Sequence, residues 1–117
     1  EYAMTGHQDP DNRKPMVWQS DQQDATMYDF LKQLIQLRHD YQTVLSEGTL
    51  SWKTDDEKNI VGFTRQLGKT KIFAIFNAGN TNYEIPTSID ISHIISEQLY
   101  NKHIIQPNGF LVTIFNQ

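Results

Sequence analysis

The chain has 117 residues, 38% of them hydrophobic and 21% charged, a globular balance that suits one domain-sized core and argues against long disorder. Its formal charge of −4 comes with scattered Lys and Arg, not the basic stripe of a nucleic-acid binder, and no apolar run is long enough to span a bilayer. There is no cysteine, hence no disulfide framework and no thiolate site. With no signal peptide in view, a cytoplasmic location is expected, and the abrupt start at Glu1 leads us to expect a fragment of something longer.

Residues 1 to about 23 are predicted to be irregular, broken by Gly6, Pro10 and Pro15. Within them, Thr5 to Trp18 reads TGHQDPDNRKPMVW, which crowds Asp9, Asp11, Arg13 and Lys14 before a buriable PMVW. A helix is predicted next, over 24–40. Its apolar residues Met27, Phe30, Leu31, Leu34 and Ile35 step by threes and fours along one face, with Leu37 off the main stripe. Asp24 suits the N-cap, because its carboxylate can accept a bond from a free first-turn amide. Arg38 and His39 lie at the end where the helix dipole favours cations. Gly48 closes a short turn after TVLSE.

From about residue 48 the pattern becomes strand-like. TLSWKT alternates, and NIVGFTRQL and KIFAIFN follow, joined by GKT at 68–70 as a hairpin link. TDDEKN at 54–59 is acidic but reads most simply as a solvated hairpin turn. NAGNTN makes another turn, and YEIP is a short edge-like strand, since Pro86 cannot donate to a ladder. EQLYNKHII is one strand, or a strand broken at Asn101. PNG at 107–109 is a turn signal before a last strand, FLVTIF. KIFAIF and FLVTIF are apolar on both parities and are predicted to be central, with both faces covered. The fold class expected is mainly β: an antiparallel β-sandwich preceded by an irregular loop and one amphipathic α-helix.

Few residues point to chemistry. His7, His39, His93 and His103 are far apart in sequence and show no zinc spacing. There is no nucleophile elbow, and GKT lacks the upstream glycine of a phosphate loop. No metal, no cofactor and no catalytic residue is assigned. The opening loop differs. Asp9 and Arg13 stand four apart around Pro10. They form either a turn-stabilising ion pair or a ligand site, in which a carboxylate acceptor and a forked donor meet the vicinal hydroxyls of a sugar. Trp18 supplies a flat apolar face nearby, or joins a core.

The segment EYAMTGHQDPDNRKPMVW resembles the stretch after the eighth barrel strand in the α-amylase family of glycoside hydrolases, within the neopullulanase, cyclomaltodextrinase and maltogenic amylase group. The pattern there is GDE-x-G-M-T-G-G-x-D-P-x-x-R-K-P-M-x-W-D. This chain keeps Glu1, Met4, Thr5, Gly6, Asp9 and Pro10, then Arg13, Lys14, Pro15, Met16 and Trp18. It departs at Ala3 and His7, where the pattern has glycines, and at Gln19 and Ser20, where an acid usually follows the tryptophan. LIQLRHDYQTVLSEGTLSW resembles the family's passage from the last barrel helix into domain C, a Greek-key β-sandwich.

The resemblance implies residues 1–45 as the tail of a (β/α)8 barrel and 46–117 as the C-terminal sandwich. It also implies a parent enzyme that hydrolyses α-glucosidic bonds with retention, using an Asp nucleophile and a Glu acid/base upstream of Glu1. The isolated chain is then no enzyme but a stabilising module. Asp9 and Arg13 map onto the family's substrate-contacting pair, with Trp18 supporting them, and an α-glucan is the partner in the parent. The helix stripe, lacking barrel strands to cover, is expected to dock on the sandwich or to pair two chains as a homodimer. Two other readings are a stand-alone carbohydrate-binding sandwich using Trp52, Tyr83 and Tyr100, and a protein-interaction module using the helix stripe.

Overall fold

The computed structural model describes residues 5–6, 15–16 and 18–116. The chain divides into two compact units, Glu1–Asp40 and Tyr41–Gln117.

In the first unit a single 3-10 turn, Ser20–Gln22, precedes helix α1, Ala25–Asp40. Asp24 caps it as expected. Its Oδ1 accepts from the Met27 amide at 2.9 Å and its carbonyl accepts from the Tyr28 amide at 3.0 Å. The half-buried residues of the helix are Phe30, Leu31, Leu34 and Leu37, while Ile35 is 60% exposed. Leu37 thus lies on the apolar stripe and Ile35 off it. A straight helix drifts at 100° per residue, so 30, 34 and 37 share a face more closely than 31 and 35 extend it.

The second unit opens with a helix that the sequence pattern did not announce. α2, Gln42–Glu47, is six residues long, too short to show an apolar period. It packs against the second and third strands. Gly48 ends it, with its amide donating to Val44 O at 3.0 Å. Arg65 Nη1 donates to Gly48 O at 2.8 Å and fastens this corner to the sheet.

Six strands follow: β1 Thr49–Asp55, β2 Ile60–Leu67, β3 Thr70–Asn77, β4 Tyr83–Glu84, β5 Ile94–Asn101 and β6 Ile104–Asn116. All pairings are antiparallel, and the order β1-β2-β3-β6-β4 joins them in one sheet, with β5 also on β6. β6 is the hub. β3 takes its C-terminal half and β4 its first residues, and β5 runs along the opposite edge. The GKT link is the predicted hairpin, with Gly68 at φ +59°. Of the acidic TDDEKN segment, Thr54 and Asp55 end β1 and residues 56–59 make the turn into β2.

PNG at 107–109 does not reverse the chain. It lies inside β6, where Leu99 of β5 stands opposite residues 106–109. The local turn chemistry is present, since Asn108 has φ +67°, but the strand resumes its direction and the result is a wide bulge. The reversal comes earlier, at Lys102 and His103, whose φ angles of +46° and +68° suit a tight hairpin between Asn101 and Ile104.

Beyond the bulge, Ile105 of β6 and Ile85 after β4 pack with Ile60 of β2 and with Phe73 and Ile75 of β3. With Leu111 they form the core. The two layers of the expected sandwich are therefore one bonded sheet folded on itself. Ile72–Ile75 of β3 and Phe110–Thr113 of β6 are buried on consecutive positions, so both central strands are covered on both faces as their apolar runs predict.

Candidate functional site

Asp9 and Arg13 lie outside the described residues. Trp18 is described and is 82% exposed. The three aromatics considered as a sugar platform do not form one. Trp52 is 65% exposed and meets Phe63 edge-on at 5.9 Å, on the sheet face that carries Phe63 and Ala74. Tyr83 and Tyr100 are half-buried against the core on the other face. Tyr83 lies under Lys58, whose Nζ is 5.9 Å from the ring centroid. Burial, and secondarily the charge of Asp55, pushes its phenol above the ordinary value of 10.0. Among the described residues no group of three or more His, Asp or Glu converges as a metal site would require.

What the second unit does carry is a groove of about 570 Å³. One wall is the sheet. Lys53, Thr64 and Lys71 line it from β1, β2 and β3, and Phe73 lies beneath. They share a face because Lys53 pairs with Gly62, and Thr64 with Ser51 and Phe73, on alternate positions of the ladder. Phe115 and Asn116 close the end, with Asn116 Oδ1 accepting from Thr70 Oγ1 at 3.1 Å.

The opposite wall is the segment after β4. In SIDIS, residues 88–92, Ile89 and Ile91 turn inward onto the core while Ser88, Asp90 and Ser92 stay exposed. Alternation thus anchors an irregular stretch and presents its polar side to the groove. Ile89 N donates to Pro86 O at 3.0 Å and Ile114 N to His93 O at 2.9 Å, fixing both ends. Asp90 Oδ1 accepts from the Ser92 amide at 2.9 Å, and Ser92 Oγ lies 2.9 Å from His93 Nδ1. Hydrogen bonds from Ser92, with a smaller contribution from His93, hold the Asp90 carboxyl below its ordinary range. The arrangement offers donors and acceptors from facing walls, and Asp90 is the one carboxylate among its lining residues, without a second for acid/base work. Sequence reasoning passed over this wall, although the polar-apolar alternation of SIDIS was its visible signal.

No family model matches the chain. It is 36% identical to an intracellular maltogenic amylase of Bacillus subtilis over 96% of its own length and 21% of that protein's. It is 37% identical to a cyclomaltodextrinase of Geobacillus thermopakistaniensis (strain MAS1) over 77% of its length and 15% of that protein's. The chain belongs to the maltogenic amylase, cyclomaltodextrinase and neopullulanase group of the α-amylase family. It corresponds to a C-terminal part of these glycoside hydrolases and spans about a fifth of the length of the maltogenic amylases it matches. The crystal structure of the maltogenic amylase from S. marinus carries the same fold, with a TM-score of 0.78 at 22% identity, covering 100% of this chain and 17% of that one. The mainly β, domain-C-type architecture expected from the sequence is thereby that of the maltogenic amylase group.

Proposed function

We propose that this chain is the C-terminal part of a retaining glycoside hydrolase that cleaves α-glucosidic bonds of maltooligosaccharides, cyclodextrins or pullulan. The observation that carries the reading is the 36% identity to a maltogenic amylase over 96% of the chain, confined to 21% of that protein. Retaining hydrolysis needs two carboxyl groups about 5 Å apart on either side of the scissile bond. No residue of the chain is assigned to that pair, and the isolated segment acts as a stabilising module. Asp9 and Arg13 belong to substrate positioning in the complete enzyme, where a carboxylate and a guanidinium together satisfy sugar hydroxyls, and Trp18 supports them. The complete enzyme works in the cytoplasm on an α-glucan and uses no cofactor.

The test is hydrolysis of maltotriose, a cyclodextrin and pullulan by the purified 117-residue chain and by the full product of its gene. The full product should release maltose or glucose, and the 117-residue chain none. Asp9→Asn in the full product should raise KM with a smaller change in kcat. Sugar release by the pure short chain would overturn the assignment of the catalytic pair to sequence before Glu1. A full gene product without hydrolytic activity would overturn the parent activity itself.

A further inference from the structure

We infer that the groove between the sheet residues Lys53, Thr64 and Lys71 and the 88–93 segment is a binding site for a short neutral oligosaccharide. The sheet wall offers two ammonium groups, which only donate. The facing segment offers Asp90, an ionised carboxylate that only accepts, with the hydroxyls of Ser88 and Ser92 beside it. An anion held by the lysines would be repelled by Asp90. A cation held by Asp90 would be repelled by the lysines. A ligand rich in hydroxyls, each of which donates and accepts, satisfies both walls without a charge conflict.

The remaining features agree with that class. The Phe115 ring is half-buried at the end of the groove and offers an apolar surface to the C–H side of a sugar ring. The volume of about 570 Å³ falls within the roughly 300–1,000 Å³ usual for small-ligand sites. The segment is held before any ligand arrives, by Ile89 and Ile91 in the core and by the His93 carbonyl on β6, so little ordering is left to oppose binding. That the oligosaccharide is an α-linked glucan rests on the function proposed above; that it is neutral and polyhydroxylic does not.

The test is an amide NMR titration of the 117-residue chain with maltotriose, with cellotriose and with inorganic phosphate. Maltotriose should give saturable shifts at Lys53, Thr64, Ser88, Ser92 and Asn116, with a dissociation constant on the order of 1 mM as suits an open site. Phosphate should leave these amides in place. Lys53→Met and Asp90→Asn should each weaken maltotriose at least about fivefold, a change of roughly 1 kcal/mol, while leaving the rest of the spectrum unchanged. Asp90→Asn keeps an oxygen for the Ser92 amide, so the segment retains its shape. Absence of saccharide shifts in a well-dispersed spectrum would overturn the site, as would lysine shifts with phosphate alone. Equal response to cellotriose and maltotriose would uphold the oligosaccharide site and overturn its α-glucan assignment. Neither result depends on whether the full gene product hydrolyses anything.

Discussion

Asn77, at the end of β3, is 2% exposed, yet every polar atom of its carboxamide is used. Nδ2 donates to Thr81 O at 2.8 Å and to Ile105 O at 2.9 Å, and Oδ1 accepts from the Gly79 amide at 2.9 Å. One side chain therefore holds the turn after β3 and the start of β6 together. Asn77→Ala removes the donor to the buried Ile105 carbonyl, the donor to Thr81 O and the acceptor of the Gly79 amide, and should cost about 2–4 kcal/mol in urea unfolding. Thr113 is the opposite case. It is 0% exposed and, among the described residues, its Oγ1 has no hydrogen-bond partner. Thr113→Val keeps the shape and removes the desolvated hydroxyl, so stability should be unchanged or rise by up to about 1 kcal/mol in the same measurement. Tyr83 gives the residue scale a pH dependence. Its folded pKa lies above the unfolded value, so its contribution is full below that value and is lost as pH rises through the raised one. Stability should fall above about pH 10, and less so in Tyr83→Phe. Asn77 was legible in the sequence only as the first letter of a turn. Its role depends on Ile105, 28 positions away, and no local pattern carries that pairing.

At the scale of elements, the strands were legible wherever one face or both had to be apolar. Helix α1 was legible from its period and its cap. α2 was not, because six residues give no period and its apolar Val44 and Leu45 find their cover in the sheet. PNG shows a different limit. Proline, asparagine and glycine mark where a backbone leaves the extended form, not whether it then reverses. In β6 the departure is absorbed by a bulge, and Gly109 is the residue that allows it. A Cβ at position 109 would stand 2.8 Å from Gln98 O and 2.9 Å from Gln106 O, both backbone atoms. Gly109→Ala should therefore force β5 away from β6 and cost about 1–3 kcal/mol. The loss should be accompanied by amide shifts spreading from Gln98 to Ile105, since Tyr100 and Ile105 flank the bulge and pack on the core. The groove was illegible for the same reason as the bulge: its two walls meet through a fold of the sheet that no segment records.

On the scale of the whole molecule, the question is how much of the chain stands by itself. Every buried hydrophobic residue of the described core, from Ile60 to Val112, lies in the unit Tyr41–Gln117. Helix α1 contributes none, and an isolated helix of 16 residues is marginal in water. A chain of residues 41–117 should therefore fold alone, with a dispersed amide spectrum and a single cooperative urea transition. Peptide 1–40 should show little helix by circular dichroism. The boundary itself is testable. Starting at residue 46 removes most of α2, including the Leu45 amide that donates to Tyr41 O at 3.0 Å and the Val44 carbonyl that accepts from Gly48. The half-buried Val44 and Leu45 go with them. Two such side chains, each worth about 1.5–3 kcal/mol when fully buried and less when half-buried, make residues 46–117 less stable than 41–117 by about 1–3 kcal/mol. Equal midpoints for the two truncations would place the start of the C-terminal domain at residue 46 and reduce α2 to a linker. A lower midpoint for the shorter chain would make α2 part of the domain, with the Arg65 to Gly48 bond as the hinge pin between helix and sheet.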